Sequence, residues 1–332
     1  MVEGQARTSD AVQMTDRVRL GRSDLEVPRL GVGAMTWGSP SGRSRWGPAK
    51  LAYGGTPGPE EERRAFEASL SAGVEFFDTA AMYSAGASER RLGELAEGKR
   101  VVIATKFPPG WLSTAEALSD ALDQSLARLR RSRIDLYQHH FPSRRVPIPS
   151  LMGLMADAVE AGKVRAVGVS NYSARQLRIA HAALAERGVP LASNQVEYSL
   201  LHRQPEVDGL LDACRELGIT LIAYQPLAQG VLTGKYRPGD RPKGIRRFGR
   251  YFRGGGLKRA QPVLSLLGEI GERHAKTPAQ VALRWLIEQD GVLPIPGAKT
   301  GRQAASNAEA LSFSLVAAEL EALDRATTAW RR

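Results

Sequence analysis

The chain has 332 residues, of which 42% are hydrophobic and 24% charged, with a formal net charge of +11. That is the make-up of an ordinary globular protein with enough apolar material for a substantial core. A single cysteine, Cys214, excludes an internal disulfide, and no apolar run reaches the ~20 residues that a membrane helix needs.

Residues 1–16 mix Glu3, Asp10 and Asp16 with Arg7 and lack an apolar segment. They read as a disordered tail rather than a secretory or transit peptide, with the cytoplasm as the default location. Arg17–Gly21 and Leu25–Leu30 flank Arg22-Ser23-Asp24, a hairpin pattern. Gly31-Val32-Gly33-Ala34 ends another short strand, and residues 38–58, rich in Gly, Pro and Ser, form a loop.

Helix and strand patterns then alternate. A helix at about 59–72 precedes the apolar run Val74–Phe77, which stops at Asp78. Tyr83 follows on a loop, and a helix begins with Ser88 as its expected cap. Val101–Thr105 is a strand ending at Lys106, Thr114–Leu129 is a helix, and Ile134–His139 is a strand running into His140-Phe141-Pro142. Leu151–Glu160 (helix), Val164–Val169 (strand), about 173–187 (helix) and Leu191 to Glu197 (strand) continue the alternation. Val207–Leu217 is a helix stopped by Gly218, and Cys214 within it reads as a buried small hydrophobe rather than a nucleophile. Ile219–Ala223 is a strand ending at Tyr224. Helices at about 260–274 and 278–289, a strand Val292–Ile295 and two closing helices complete the chain.

Repeated alternation implies parallel strands joined by crossover helices. About eight strands after the hairpin suit an α/β fold, a closed (β/α)8 TIM barrel over residues 17–332 with an N-terminal hairpin and extra C-terminal helices. The runner-up is a doubly wound open sheet. Against it, Gly31-Val32-Gly33 lacks the third glycine of the dinucleotide fingerprint and no helix follows it.

Between Arg241 and Gly268 there are eight basic residues and no acidic one, with Phe248, Tyr251 and Phe252 interleaved. Single-stranded nucleic acid is one partner for such a stretch. A mobile basic loop over an anionic cofactor, at 237–260, suits a segment inside a larger α/β pattern better, so no nucleic-acid partner is expected.

In a barrel the carboxyl ends of the strands share one face. Here those ends carry Asp78, Lys106 and His140, with Tyr83 on an adjoining loop. A phenol donates a proton poorly at neutral pH. An ammonium beside it lowers its pKa, a carboxylate holds the ammonium, and an imidazole polarises a carbonyl or relays the proton. Together these groups suit protonation of a carbonyl oxygen that is gaining negative charge. Taken singly, each has a plainer reading: Asp78 as a turn cap, Lys106 as a solvated strand end, Tyr83 as a packed aromatic. Alternation along the strand leaves open which of His139 and His140 faces the barrel mouth. No metal is expected, since neither a His-x-x-x-His pair nor a cysteine cluster is present.

Seven strings in order carry a resemblance. They are Asp78 with Tyr83 and Gly86–Gly93; Ala104-Thr105-Lys106; Asp135–Pro142; Gly168–Tyr172; Ser193-Asn194-Gln195; Ala223–Leu227; and Ile295–Lys299. From about Val18 to Ala326 the chain resembles the aldo-keto reductase superfamily, in its bacterial and plastid-type branch. The resemblance implies an NADPH-dependent carbonyl reductase with Tyr83 as the acid, Lys106 and Asp78 tuning it, and His140 orienting substrate. His140 is preferred because the family histidine directly precedes an aromatic-proline pair, although the aromatic here is Phe141 rather than Trp.

The resemblance also implies that Ser170, Asn171 and Gln195 bind the nicotinamide carboxamide and that Tyr224 stacks on the ring. Leu227, Ala228, Gln229 and Gly230 would follow the pyrophosphate. Lys299, Thr300, Gln303 and Asn307 would hold the adenosine end, with Lys299 suited to a 2′-phosphate. Gly33, Met35, Asp78, Pro226, Lys235 and Gly297 belong to the same cofactor set. Gln303 stands where many members carry arginine, and Ser306 where many carry glutamate. Met35, Trp37, Trp111 and Phe141, with His140, are expected to line the substrate pocket. The substrate itself stays open, from aldehydes, pyridoxal and sugars to ketones of secondary-metabolite assembly, as does the oligomeric state, a homo-oligomer included. The competing class is a nicotinamide-sensing regulatory subunit on the same scaffold with little turnover.

Overall fold

The apolar runs become short parallel strands. The computed structural model describes residues 17–38, 57–107, 115–143, 145–242 and 244–331. The expected tail at 1–16, most of the loop 38–58, Trp111 with residues 108–114, and Lys243 lie outside the described residues.

A two-stranded antiparallel hairpin, β1 (Arg17–Arg19) and β2 (Glu26–Pro28), comes first. Eight parallel strands follow: β3 (Val32–Gly33), β4 (Phe76–Asp78), β5 (Val102–Phe107), β6 (Ile134–His139), β7 (Val164–Ser170), β8 (Leu191–Glu197), β9 (Thr220–Tyr224) and β10 (Val292–Pro294). Each pairs with the next in sequence. The ring closes between first and last. Gly31 N donates to Pro294 O at 3.0 Å, Gly33 N to Pro296 O at 3.0 Å, and Gly33 bridges Gly297. At this seam a Cβ on Gly33 would lie 3.1 Å from Ile295 O, so glycine permits the close approach.

The helices between strands are α1 (Pro59–Ser71), α2 (Ala87–Leu95), α3 (Ala115–Leu129), α4 (Ile148–Glu160), α5 (Ala174–Ala185) and α6 (Leu210–Leu217). Then come α7 (Gly256–His274), α8 (Pro278–Ile287), α9 (Gly301–Ala308) and α10 (Ala317–Ala326). Helix α5 begins with a capping box, in which Ser173 accepts from Gln176 N while Gln176 reaches back to Ser173 N. The helix expected at Val207–Leu217 is interrupted. A single turn, Gln204–Val207, precedes Gly209 at φ +73°, and α6 starts after it.

Two cores result. Inside the ring, Leu20, Leu25 and Val27 of the hairpin meet Phe76, Ala104, Leu136, Ala166, Ala192, Ile222 and Leu293 from the strands, so the hairpin plugs the amino-terminal end. Outside, strand residues such as Phe77, Phe107, Tyr137 and Val167 pack under the helices. The carboxyl end of the barrel is left to polar side chains. No helix of the described residues is long and apolar enough to cross a membrane.

Candidate active site

Asp78, the last residue of β4, is the hub of the barrel's polar layer. Its Oδ1 accepts from Lys106 Nζ at 2.5 Å, and its Oδ2 from Gln195 Nε2 at 2.8 Å and Gln138 Nε2 at 3.2 Å. Lys106 Nζ also donates to Thr79 O at 2.8 Å. Lys106 is fully buried and Asp78 nearly so. Burial pulls the lysine pKa below its usual value, against the opposing pull of Asp78.

Alternation along β6 now decides between the histidines. Gln138 points inward to Asp78. His139 turns outward, where Nδ1 meets the Tyr172 hydroxyl at 2.8 Å and the ring packs beside Phe107. His140 therefore returns to the mouth and lines the cavity. Its ring stacks on Phe141, centroids 4.6 Å apart and planes within 7°. Burial, with the charge of Lys106, lowers its pKa to about 3, so the imidazole is neutral at ordinary pH.

Tyr83 stands edge-on to His140, centroids 5.8 Å apart. The expected lowering of its pKa fails here. No hydrogen bond joins its hydroxyl to Lys106 or His140 among the described residues, and Lys106 Nζ lies 5.1 Å from the ring centroid instead. Its pKa is raised rather than lowered, because burial and the Asp78 charge both oppose the phenolate.

Ser88 does not cap the helix after Tyr83. Gly86 holds the N-cap position of α2, while Ser88 Oγ donates to Ala34 O at 2.7 Å and lies 2.7 Å from Thr79 Oγ1. The hydroxyl thus joins the loops after β3 and β4.

Tyr83, His140 and Asp78 open into a cavity of about 780 Å³. Met35, Met82, Tyr83, His140 and Phe141 form part of its wall. Lys235, Arg246, Lys299 and Arg302 supply cations to its lining. Of the residues expected at a cofactor, Gly33, Met35, Asp78, Ser170, Asn171, Gln195, Tyr224, Pro226, Leu227, Gln229, Gly230, Lys235, Gly297, Lys299, Gln303 and Asn307 line it. Thr300 does not; it caps α9 by accepting from Gln303 N. Ala228 is buried just behind the wall.

Asn171 is held by donating to His140 O at 3.0 Å and accepting from the Tyr224 hydroxyl at 2.9 Å. Gln195 already spends its amide on Asp78, which leaves its Oε1 for other partners.

Trp37 is a correction. It is fully buried outside the barrel, between Phe66 and Phe77, and its Nε1 donates to Ala298 O at 2.7 Å. A tryptophan ring that has already found its hydrogen-bond partner in the core has no share in a substrate wall.

Left-handed non-glycine residues gather around the cavity: Ser84, Ala85, Asn171, Gln225, Ala228 and Gln229, with φ between 47° and 62°. Such backbone persists where the surroundings over-determine it, commonly at binding sites. The sequence reading missed Gln138 and Arg302. Alternation from Asp135 through His140 could have pointed to Gln138. Arg246 belongs to the basic loop expected over an anionic cofactor, and it lines the cavity.

The family model described as Aldo/keto reductase family matches residues 29–328. This chain belongs to that family. An uncharacterised oxidoreductase of Mycobacterium tuberculosis is 39% identical over 92% of this chain and 91% of its own. The chloroplastic pyridoxal reductase of Arabidopsis thaliana is 38% identical over 90% of this chain and 82% of its own. Among solved structures, the glycerol dehydrogenase AKR11B4 of Gluconobacter oxydans superposes with a TM-score of 0.81 at 25% identity, covering 94% of each chain. An aldo-keto reductase of Klebsiella pneumoniae, solved with NADPH, gives 0.72 at 29%, again over 94% of each. As an aldo/keto reductase the chain is an oxidoreductase.

Proposed function

We propose that this aldo/keto reductase reduces a ketone or aldehyde to an alcohol, with NADPH as cofactor. The observation that carries the reading is a protonated phenol and a neutral imidazole facing each other in a cavity whose lining also carries Lys235, Arg246, Lys299 and Arg302. The cavity's volume suits a dinucleotide and a small substrate together. Its glycine-lined wall at Gly33, Gly230 and Gly297 leaves room for close approach, and Gln229 Oε1, buried without a partner, awaits a donor. The Klebsiella pneumoniae neighbour solved with NADPH supports the choice of cofactor.

Ser170, Asn171, Gln195 and Tyr224 would hold the nicotinamide end. Lys235, Lys299, Gln303 and Asn307 would hold the phosphates and adenosine. NADPH, when bound, supplies the hydride. The chain's own residues manage the oxygen. His140, uncharged, donates a hydrogen bond to the substrate carbonyl and fixes its direction. Tyr83 transfers its hydroxyl proton to that oxygen as negative charge develops. The phenolate left behind is stabilised by the Lys106 ammonium beside the ring, which Asp78 anchors, until solvent restores the proton. Met35, Met82 and Phe141 favour a carbonyl carried on an apolar group.

The test is NADPH consumption against a carbonyl panel, for the native chain and for Tyr83→Phe. Turnover that Tyr83→Phe removes, with cofactor binding kept, supports the reading. Binding with no turnover on any carbonyl overturns it in favour of a nicotinamide-sensing subunit.

A further inference from the structure

One buried acid near Tyr83 has no part in the chemistry described so far. Glu89 sits in the first turn of α2, three residues after the N-cap Gly86, and is fully buried. A glutamate at that position ordinarily reaches back to the N-cap backbone. Here it reaches sideways. Its Oε1 accepts from Thr105 Oγ1 at 2.6 Å and its Oε2 from Arg128 Nε at 2.6 Å. Arg128, near the end of α3, also donates Nη2 to Ser125 Oγ at 3.1 Å. One carboxylate therefore joins the helix that follows Tyr83, the residue before Lys106 on β5, and α3.

This joint bears on the turn Tyr83–Gly86. Ser84, Ala85 and Gly86 run in the left-handed region, with φ of 50°, 54° and 80°. Non-glycine residues stay there only where their surroundings hold them. The Arg128 side chain lies against the end of the turn, since a Cβ on Gly86 would meet Arg128 Cδ at 2.6 Å. Glu89 in turn fixes Arg128. The same carboxylate acts through its charge. Burial favours loss of the Lys106 proton, and Asp78 first and Glu89 after it oppose that loss. None of Glu89, Thr105 and Arg128 lines the cavity, so none touches substrate or cofactor.

We propose that Glu89 is a positioning residue for proton transfer: through Thr105 and Arg128 it locks the left-handed turn that aims Tyr83 to the strand that carries Lys106. This rests on the carbonyl-reductase reading given above. In that step the Tyr83 O–H bond breaks, the proton passes to the substrate oxygen, and the electron pair stays on the phenolate. A misplacement of ~1 Å in such a group can cost on the order of 10²-fold in rate. Released from its clamp, the strained turn relaxes, and Tyr83 moves with it.

The experiment measures kcat, KM and NADPH Kd for the full-length chain, with NADPH and the carbonyl of the panel above that turns over fastest. The variants are Glu89→Gln, Arg128→Met, Arg128→Lys, Tyr83→Phe and Tyr83→Phe/Glu89→Gln. Glu89→Gln and Arg128→Met should lower kcat about 10–10²-fold, with KM and NADPH Kd close to native. Proton transfer then limits the rate, so the solvent deuterium isotope effect on kcat should rise. Arg128→Lys keeps the charge pair and should recover part of kcat. In the Tyr83→Phe background Glu89→Gln should cost little more, because Glu89 works through Tyr83. Arg128 is partly exposed, so its variants keep the test open if Glu89→Gln folds poorly. Native kcat in Arg128→Met, or an equal loss from Glu89→Gln with and without the Tyr83 hydroxyl, overturns the positioning role while leaving carbonyl reduction intact. A native chain that turns over no carbonyl overturns both.

Discussion

Lys106 Nζ stands 5.1 Å from the centroid of the Tyr83 ring, with no hydrogen bond between ammonium and hydroxyl among the described residues. The lysine therefore acts on Tyr83 through its charge, which matters only once the proton has left. Tyr83→Phe should lower carbonyl reduction by about 10²–10⁴-fold, the usual worth of a positioned acid, with NADPH Kd unchanged. Adding Lys106→Met to Tyr83→Phe should cost little more rate, since the phenolate it would stabilise never forms. Steady-state kcat and a fluorescence titration decide both, and a further large drop in the double variant would show Lys106 acting directly on substrate.

The Asp78–Lys106 pair also bears on stability. Both groups are buried, so removing one leaves the other charge without its partner. Lys106→Met should cost about 3–5 kcal/mol of unfolding free energy. Lys106→Met with Asp78→Asn should recover part of that, because no uncompensated charge remains. Urea denaturation of the three chains reads the difference, and a double variant less stable than Lys106→Met would contradict it.

Gly168, within β7, is a packing constraint on the same layer. A Cβ there would meet Ser193 Oγ at 2.4 Å and Gln138 Cγ at 2.9 Å. Gly168→Ala should cost about 1–3 kcal/mol by overpacking and reduce activity by shifting Gln138 away from Asp78. Ser193 Oγ is buried without a partner. Ser193→Ala should therefore be tolerated alone and should restore part of the stability of Gly168→Ala, as judged by thermal midpoints.

Stability should fall on mild acidification. Burial lowers the pKa of His139 to about 4 and that of His140, with help from Lys106, to about 3. In the unfolded chain both take up a proton near ~6.5. Between those values the unfolded state binds more protons, so the stabilisation present above pH ~6.5 is lost as the pH drops toward the folded values. The urea midpoint should decline from pH 7 to pH 5, and less steeply in His139→Gln/His140→Gln. Equal slopes would show that other groups set the dependence.

Much of the barrel was legible because its strands are short apolar runs that end on functional side chains. Asp78, Lys106 and His140 could be placed at one face from topology alone. Trp37 could not, because one residue's offset after β3 decides between cavity and core, and a strand of two residues is too short to fix the phase. The Tyr83 pKa was misjudged for a related reason. Residue spacing brought phenol and ammonium together but carried no information on how deeply the phenol is buried. Gln138 was overlooked because an amide announces no chemistry by itself; only the fold shows it turned toward Asp78.

The seam between Gly31–Gly33 and Pro294–Gly297 has a consequence for biosynthesis. Partners that must touch stand at the two ends of the strand order, so the ring cannot shut until the segment after β10 has been synthesised. Until then neither wall of the cleft beside Gly33 exists in full, and nucleotide has nowhere to lodge. Acquisition of the coenzyme would thus report on completed maturation, and a chain shortened before Val292 should be left as an unsealed arc.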